Sequence, residues 1–112
     1  MAEVFKSVNA ELGTTVDGSS EVIYTCPAGT TAIVILCQLA NIDGTNNSNS
    51  YVSYYDYSET QNKFLAYELV IPADSAVNPI GGKLVLNAND QLRAYASAAG
   101  DIDITVSVLE IT

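Results

Sequence analysis

The sequence predicts an all-β protein, a single-domain antiparallel two-sheet β-sandwich, jelly-roll-like, of about eight strands over residues 1–112. Three observations carry this. Short apolar or alternating segments recur at the spacing of sandwich strands, with Gly, Pro, Asn and Asp between them. No segment holds a helical period together with a cap and a stop. The run Ala32 to Leu36 is apolar at every position, contains the β-branched Ile33, Val34 and Ile35, and has turn residues at both ends, as a strand covered on both faces does.

Residues 1–20 read as an N-terminal strand or extended arm plus a loop. Val4, Lys6 and Val8 share one parity and Glu3, Phe5 and Ser7 the other, and such an arm suits packing on a neighbouring subunit. Gly13 to Ser20 is a polar loop. Glu21 to Cys26 is a short strand, and the turn Pro27-Ala28-Gly29-Thr30 leads into the central strand as a hairpin or a sheet-switching corner. In that strand Ile33, Ile35, Cys37 and Leu39 fall on one parity, and Ala32, Val34, Leu36 and Ala40 on the other. A thin sandwich covers only one of these faces with its own core, so the other is expected to meet another subunit or the N-terminal arm.

Asp43 to Ser50 is a surface loop, Tyr51 to Tyr57 a strand, and Phe64 to Ile71 another, with Leu65, Tyr67, Leu69 and Ile71 on one parity. Pro72 to Gly82 is a connection that crosses between sheets or runs along an edge. Lys83 to Leu86 is a short strand and Asn87 to Asp90 a turn. Leu92, Ala94, Ala96 and Ala98 then alternate with polar residues, the small side chains implying close packing. Ile102, Ile104, Val106 and Val108 form the last inward series, and Leu109 with Ile111 changes the parity, which predicts a bulge or a terminus packed on something else.

Composition excludes several classes. The chain has 48% hydrophobic and 15% charged residues and no apolar run near the length of a membrane helix, so a folded, soluble protein without membrane contact is expected. The first residues lack the apolar core of a signal peptide. A net charge of −9 repels phosphate backbones, so no nucleic-acid partner is expected. The chain lacks histidine, which removes the commonest general base and the commonest transition-metal ligand. Cys26 and Cys37 fit no zinc pattern, and two buried free thiols are expected over a disulfide. Asp101 and Asp103 share a strand face but nothing marks them as a catalytic pair. The Asp43 to Asn49 loop misses calcium-loop spacing, Asn46-Asn47-Ser48 matches a glycosylation acceptor only formally, and Gly81-Gly82-Lys83 is not a phosphate loop. No catalytic residue, metal or cofactor is predicted.

The one compositional excess is tyrosine, seven in all. Tyr51, Tyr54, Tyr55 and Tyr57 cluster, and with Ile33, Ile35 and Leu39 they are the candidate interface residues. Tyrosines also simply suit strands, and stacking on a sugar ring is a further use.

Taken together, AEVFKS, IYTCPAGTTAIV, Asn41, the apolar strand before Ile71-Pro72, LVLNANDQLRAYAS and VSVLEI resemble a family of small bacteriophage virion structural proteins, including those of phages of cyanobacteria. Its pattern resembles YTxPAGTTAxV, then an Asn, then AGDxLRVYAS and a closing EI. Here Cys26 stands where the pattern has Val, and Asn89-Asp90 where it has Gly-Asp. The resemblance implies a non-enzymatic virion protein, assembled in the host cytoplasm: a capsid decoration or cement protein that self-associates, as a trimer by preference, and docks on other virion proteins such as the major capsid protein. The alternative it leaves is a tail, neck or fibre module that recognises a host glycan.

Overall fold

The computed structural model describes residues 2–14, 21–80 and 82–112; most of the expected Gly13–Ser20 loop lies outside these. The described residues form nine strands: β1 (Glu3–Glu11), β2 (Glu21–Thr25), β3 (Thr31–Asn41), β4 (Ser48–Asp56), β5 (Gln61–Ile71), β6 (Ala76–Val77), β7 (Leu84–Leu86), β8 (Gln91–Ala96) and β9 (Ile102–Ile111). One sheet runs β1-β9-β3-β6, with β7 also paired to β3, and the other runs β2-β8-β4-β5. Every pairing is antiparallel. The chain changes sheet at each connection except β4 to β5 and β6 to β7, which is jelly-roll topology. The first sheet is called sheet A below and the second sheet B.

The turn after Cys26 is therefore a corner between sheets. Thr30 N donates to Pro27 O at 3.3 Å, and Gly29 supplies the φ of 75° that this turn requires at its third position. Cys26 is pinned from both sides, its N–H donating to Asp90 O and its carbonyl accepting from Asn89 N, both at 2.8 Å. Asn89 sits at φ 70°, which asparagine tolerates and a β-branched residue does not. Asn89→Val is expected to lower stability by about 1–3 kcal/mol, and Asn89→Gly to leave it unchanged or slightly raise it; urea denaturation midpoints read both.

The core lies between the sheets. Ile102, Ile104, Val106 and Val108 of β9 face Leu92, Ala94 and Ala96 of β8 and Val52 of β4, closed by Leu12, Tyr24, Cys26, Ile71 and Leu86. The alternation expected of β8 and β9 is met, except that Ala98 is exposed beyond the end of β8. Both cysteines are buried and free.

The structure corrects three strand readings. In β3 the register against β9 shifts between Val34 and Leu36, so a bulge at Ile35 breaks the parity. Ala32, Val34, Cys37 and Leu39 all reach the core as a result, and Ile33, Ile35 and Leu36 face outward. In β9 no bulge follows Val108: β1 pairs it without a shift from Glu3↔Ile111 to Glu11↔Asp103. What interrupts the apolar parity is Glu110, which takes an inward place because Tyr24 and Lys6 hold it there. In β5 two register shifts against β4, with Glu68 at φ 54°, leave Leu65 and Tyr67 exposed and bring Ala66 and Ile71 to the core.

Candidate functional site

The outer face of sheet A carries a row of apolar side chains at right angles to the strands. Phe5 stands opposite Leu109, Leu109 opposite Ile33, and Ile33 opposite Val85. Directly opposite residues of an antiparallel pair share a face, so the four line up. Phe5 is 73% exposed and Val85 50%. The bulge adds Ile35, 41% exposed, and Leu36 beside Ser107, while Ile111 flanks the row on its other side. Along the strands the character then changes, through Ser7 and Ser107 to Asn9, Thr105 and Gln38, and finally to Glu11 opposite Asp103. The face is apolar at one end and acidic at the other. Ile33 and Ile35 thus lie on an outer surface; Leu39, fully buried, does not, because the bulge turned it inward.

The tyrosine cluster is divided by the pleat of sheet B. Tyr51 faces outward and stacks on Tyr95, its cross-strand partner, with centroids 4.3 Å apart and planes 7° apart. Tyr67 meets Tyr51 edge-on at 5.1 Å, and Phe64 meets Tyr67 at 5.0 Å. Tyr55 is covered by the Arg93 guanidinium, 4.0 Å from its ring centroid. Tyr54 points the other way, packs on the core and donates its hydroxyl to Asp90 Oδ2 at 2.7 Å. Tyr57 is exposed beyond the end of β4. The platform therefore combines Tyr51 with Tyr67, Tyr95 and Phe64, none of which clusters with it in sequence. Pairing Tyr51 with Tyr95 required the β4–β8 register.

Buried polar groups serve the fold. Asp90 accepts from Tyr54 Oη, Tyr57 N and Asn87 N at 2.7, 3.0 and 2.9 Å. Asn41 ends β3 by donating to Ile71 O at 2.8 Å and Asn46 O at 3.0 Å and accepting from Asp43 N at 2.9 Å, which ties the β3–β4 loop to β5. Glu110 accepts the Tyr24 hydroxyl and pairs with Lys6 Nζ at 2.9 Å. The Tyr24 hydrogen bond, followed by that of Lys6, holds the Glu110 carboxyl below its usual range, and burial together with Glu110 pushes the Tyr24 hydroxyl up. Burial also pushes the Cys37 thiol up to about 11, so it is a poor nucleophile at neutral pH.

A group with a depressed folded pKa contributes stability above its unfolded value, near pH 4.3 for Glu, and that contribution is lost as pH falls through the folded value. The stability difference between wild type and Glu110→Gln is therefore expected to be widest near neutrality and to close on acidification. Urea unfolding from pH 7 to pH 2 measures it, and a gap independent of pH would contradict the assignment.

Among the described residues no three acidic or thiol side chains converge on one point. Asp103 is exposed at the acidic end of sheet A opposite Glu11, and the two line a shallow groove of about 400 Å³ with Asn9 and Thr105. Another groove of about 440 Å³ runs between β5 and the segment after β6, lined by Leu65, Tyr67, Glu68, Val70, Val77 and Pro79 among others. Its walls hold one carboxylate, that of Glu68, and one tyrosine, Tyr67. The surface presents an apolar row on one sheet and an aromatic platform on the other.

No family model matches the chain, and no curated protein does. Solved structures share its fold. A chain of the acid-stable capsid of Helicobacter pylori bacteriophage KHP30 matches over 100% of this chain and 89% of its own length, with 13% identity and a TM-score of 0.58. VP2 in the subviral particle of infectious bursal disease virus matches over 96% of this chain, with 10% identity and a TM-score of 0.51; the match spans 32% of that longer chain. A Podospora anserina GH26-CBM35 β-(1,4)-mannanase reaches a TM-score of 0.42 at 15% identity, too weak a likeness to bear on the fold. The two stronger matches place the chain among all-β jelly rolls of the kind found in viral capsids.

Proposed function

We propose that this chain is a non-enzymatic structural protein of a bacteriophage particle, a decoration or cement protein that binds the capsid in many copies. The observation that carries the reading is one of size as well as shape. The KHP30 capsid chain is matched over 89% of its own length, so it too is little more than a single small sandwich, whereas in bursal disease virus VP2 the same fold is about a third of a larger subunit. A sandwich that a small capsid chain matches over nearly its whole length suits an added layer on a shell. The apolar row of sheet A supplies a surface for adhesion, and a charge of −9 favours a partner with basic groups around an apolar patch. The phage-family resemblance of the PAGTTA turn and the NANDQLRAYAS strand agrees with this placing.

Quantitative mass spectrometry of gradient-purified particles tests it. Tens of copies per particle or more, lost from the head fraction when the gene is deleted, are the expected result; absence from purified particles overturns it. A second reading, host recognition through a glycan, has one observation in its favour, the exposed aromatic platform of Tyr51, Tyr67, Tyr95 and Phe64. Binding to a glycan array that disappears in Tyr67→Ala would favour it over the cement role.

A further inference from the structure

Sheets A and B end in four kinds of edge, and three are blunted. β2 is five residues long with a register shift between Val22 and Tyr24. β5 is shifted twice, and β6 and β7 are two and three residues long. Short, bulged edges resist pairing with another chain. β1 is different. It runs nine residues in unbroken register with β9, contains no proline, and is prolonged by reciprocal backbone hydrogen bonds between Ala2 and Thr112 at 3.2 and 2.9 Å. Its one lysine, the residue type that usually guards an edge, is half-exposed and has its charge paired with Glu110 on the inner face. Val4 and Phe5 stand 48% and 73% exposed on its two faces.

We propose that β1 is an assembly edge, and that its occupant is the β1 strand of a second copy, antiparallel across a two-fold axis, joining two A sheets into one. Charge disfavours two registers, and continuity of the apolar row favours a third. Centring the pair on Ser7 opposes Glu3 with the partner's Glu11, and centring it on Lys6 opposes two lysines, like-charge contacts that destabilise a strand pair. Centring it on Phe5 opposes Glu3 with Ser7 and Val4 with Lys6, without a like-charge pair, and places the two Phe5 rings side by side. The apolar row then continues unbroken through both copies, Val85-Ile33-Leu109-Phe5 meeting its two-fold image. One adhesive strip twice as long results. This two-fold contact differs from the three-fold assembly that the family resemblance implies.

The inference rests on the adhesive role within the proposed function, and its test uses the isolated full chain, so its failure leaves the particle measurement standing. Sedimentation equilibrium from 10 µM to 1 mM is expected to show a monomer–dimer equilibrium. Because each copy carries −9, the dimer tightens between 20 mM and 0.5 M NaCl as repulsion is screened. Phe5→Asp is expected to weaken it at least tenfold with the monomer's thermal midpoint unchanged, the side chain being mostly solvent-exposed. Under mild oxidation Phe5→Cys is expected to give a covalent dimer, its Cβ atoms facing each other across the axis, while Val85→Cys at the far edge gives none. A monomer at 1 mM, a trimer, association indifferent to Phe5→Asp, or a dimer that Phe5→Cys does not cross-link would each overturn the proposal.

Discussion

Replacing Leu39 with alanine is expected to lower the stability of the monomer by about 3–5 kcal/mol, the range for truncating a wholly buried leucine in a core that closes only partly around the void. Leu39 is 0% exposed and belongs to the cluster that includes Ile104, its neighbour across the β3–β9 ladder. For a domain of this size roughly 5 °C of thermal midpoint goes with each kcal/mol, so a fall of about 15–25 °C by circular dichroism is the expected reading. Ile35→Ala, at the bulge itself and on the outer face, is expected to cost under about 1 kcal/mol. The contrast matters because simple alternation puts both residues on one face. Equal effects from the two substitutions would mean that the bulge between Val34 and Leu36 is misplaced.

Asp90→Ala is expected to cost about 2–3 kcal/mol, as it removes a buried acceptor that three partly buried donors share. The 2% exposed carboxylate takes one hydrogen bond from the Tyr54 hydroxyl and two from backbone N–H groups, those of Tyr57 and Asn87. It thereby joins the β7–β8 turn to the end of β4, and the same turn holds Cys26 through two backbone bonds. Asp90→Asn should be milder, since the tyrosine hydroxyl can rotate to accept from the new amide while the remaining oxygen serves one N–H. Guanidinium unfolding of the three proteins at pH 7 orders them wild type, Asn, Ala; an Asn variant as weak as Ala would show that the charge itself, and not acceptor capacity, is what the site uses.

Asp90 also shows why parts of the molecule escape a reading by sequence. The residues shared with the phage pattern read as turn and strand markers, yet Tyr24, Asn41, Asp90 and Glu110 are all buried polar groups with partners far along the chain. A buried carboxylate has no local signature. Glu110 looks like any polar residue that interrupts an apolar series, because its partners Tyr24 and Lys6 are 86 and 104 positions away. The tyrosines behaved similarly. Proximity in sequence grouped Tyr51, Tyr54, Tyr55 and Tyr57, but alternation sends neighbours to opposite faces, and the stack that formed joins Tyr51 to Tyr95.

The amino-acid sequence by itself determined the class of the fold, the turn at Pro27–Thr30, the inward series of β8 and β9, and the presence of more apolar surface on the central strand than one core can cover. These follow from local rules, periodicity and turn chemistry, that act within a few residues. Tertiary structure alone decided which apolar residues became surplus. A bulge is a property of two strands in register, so only the pairing of β3 with β9 could send Leu39 to the core and leave Ile33, Ile35 and Leu36 beside Phe5 and Val85 on the outer face.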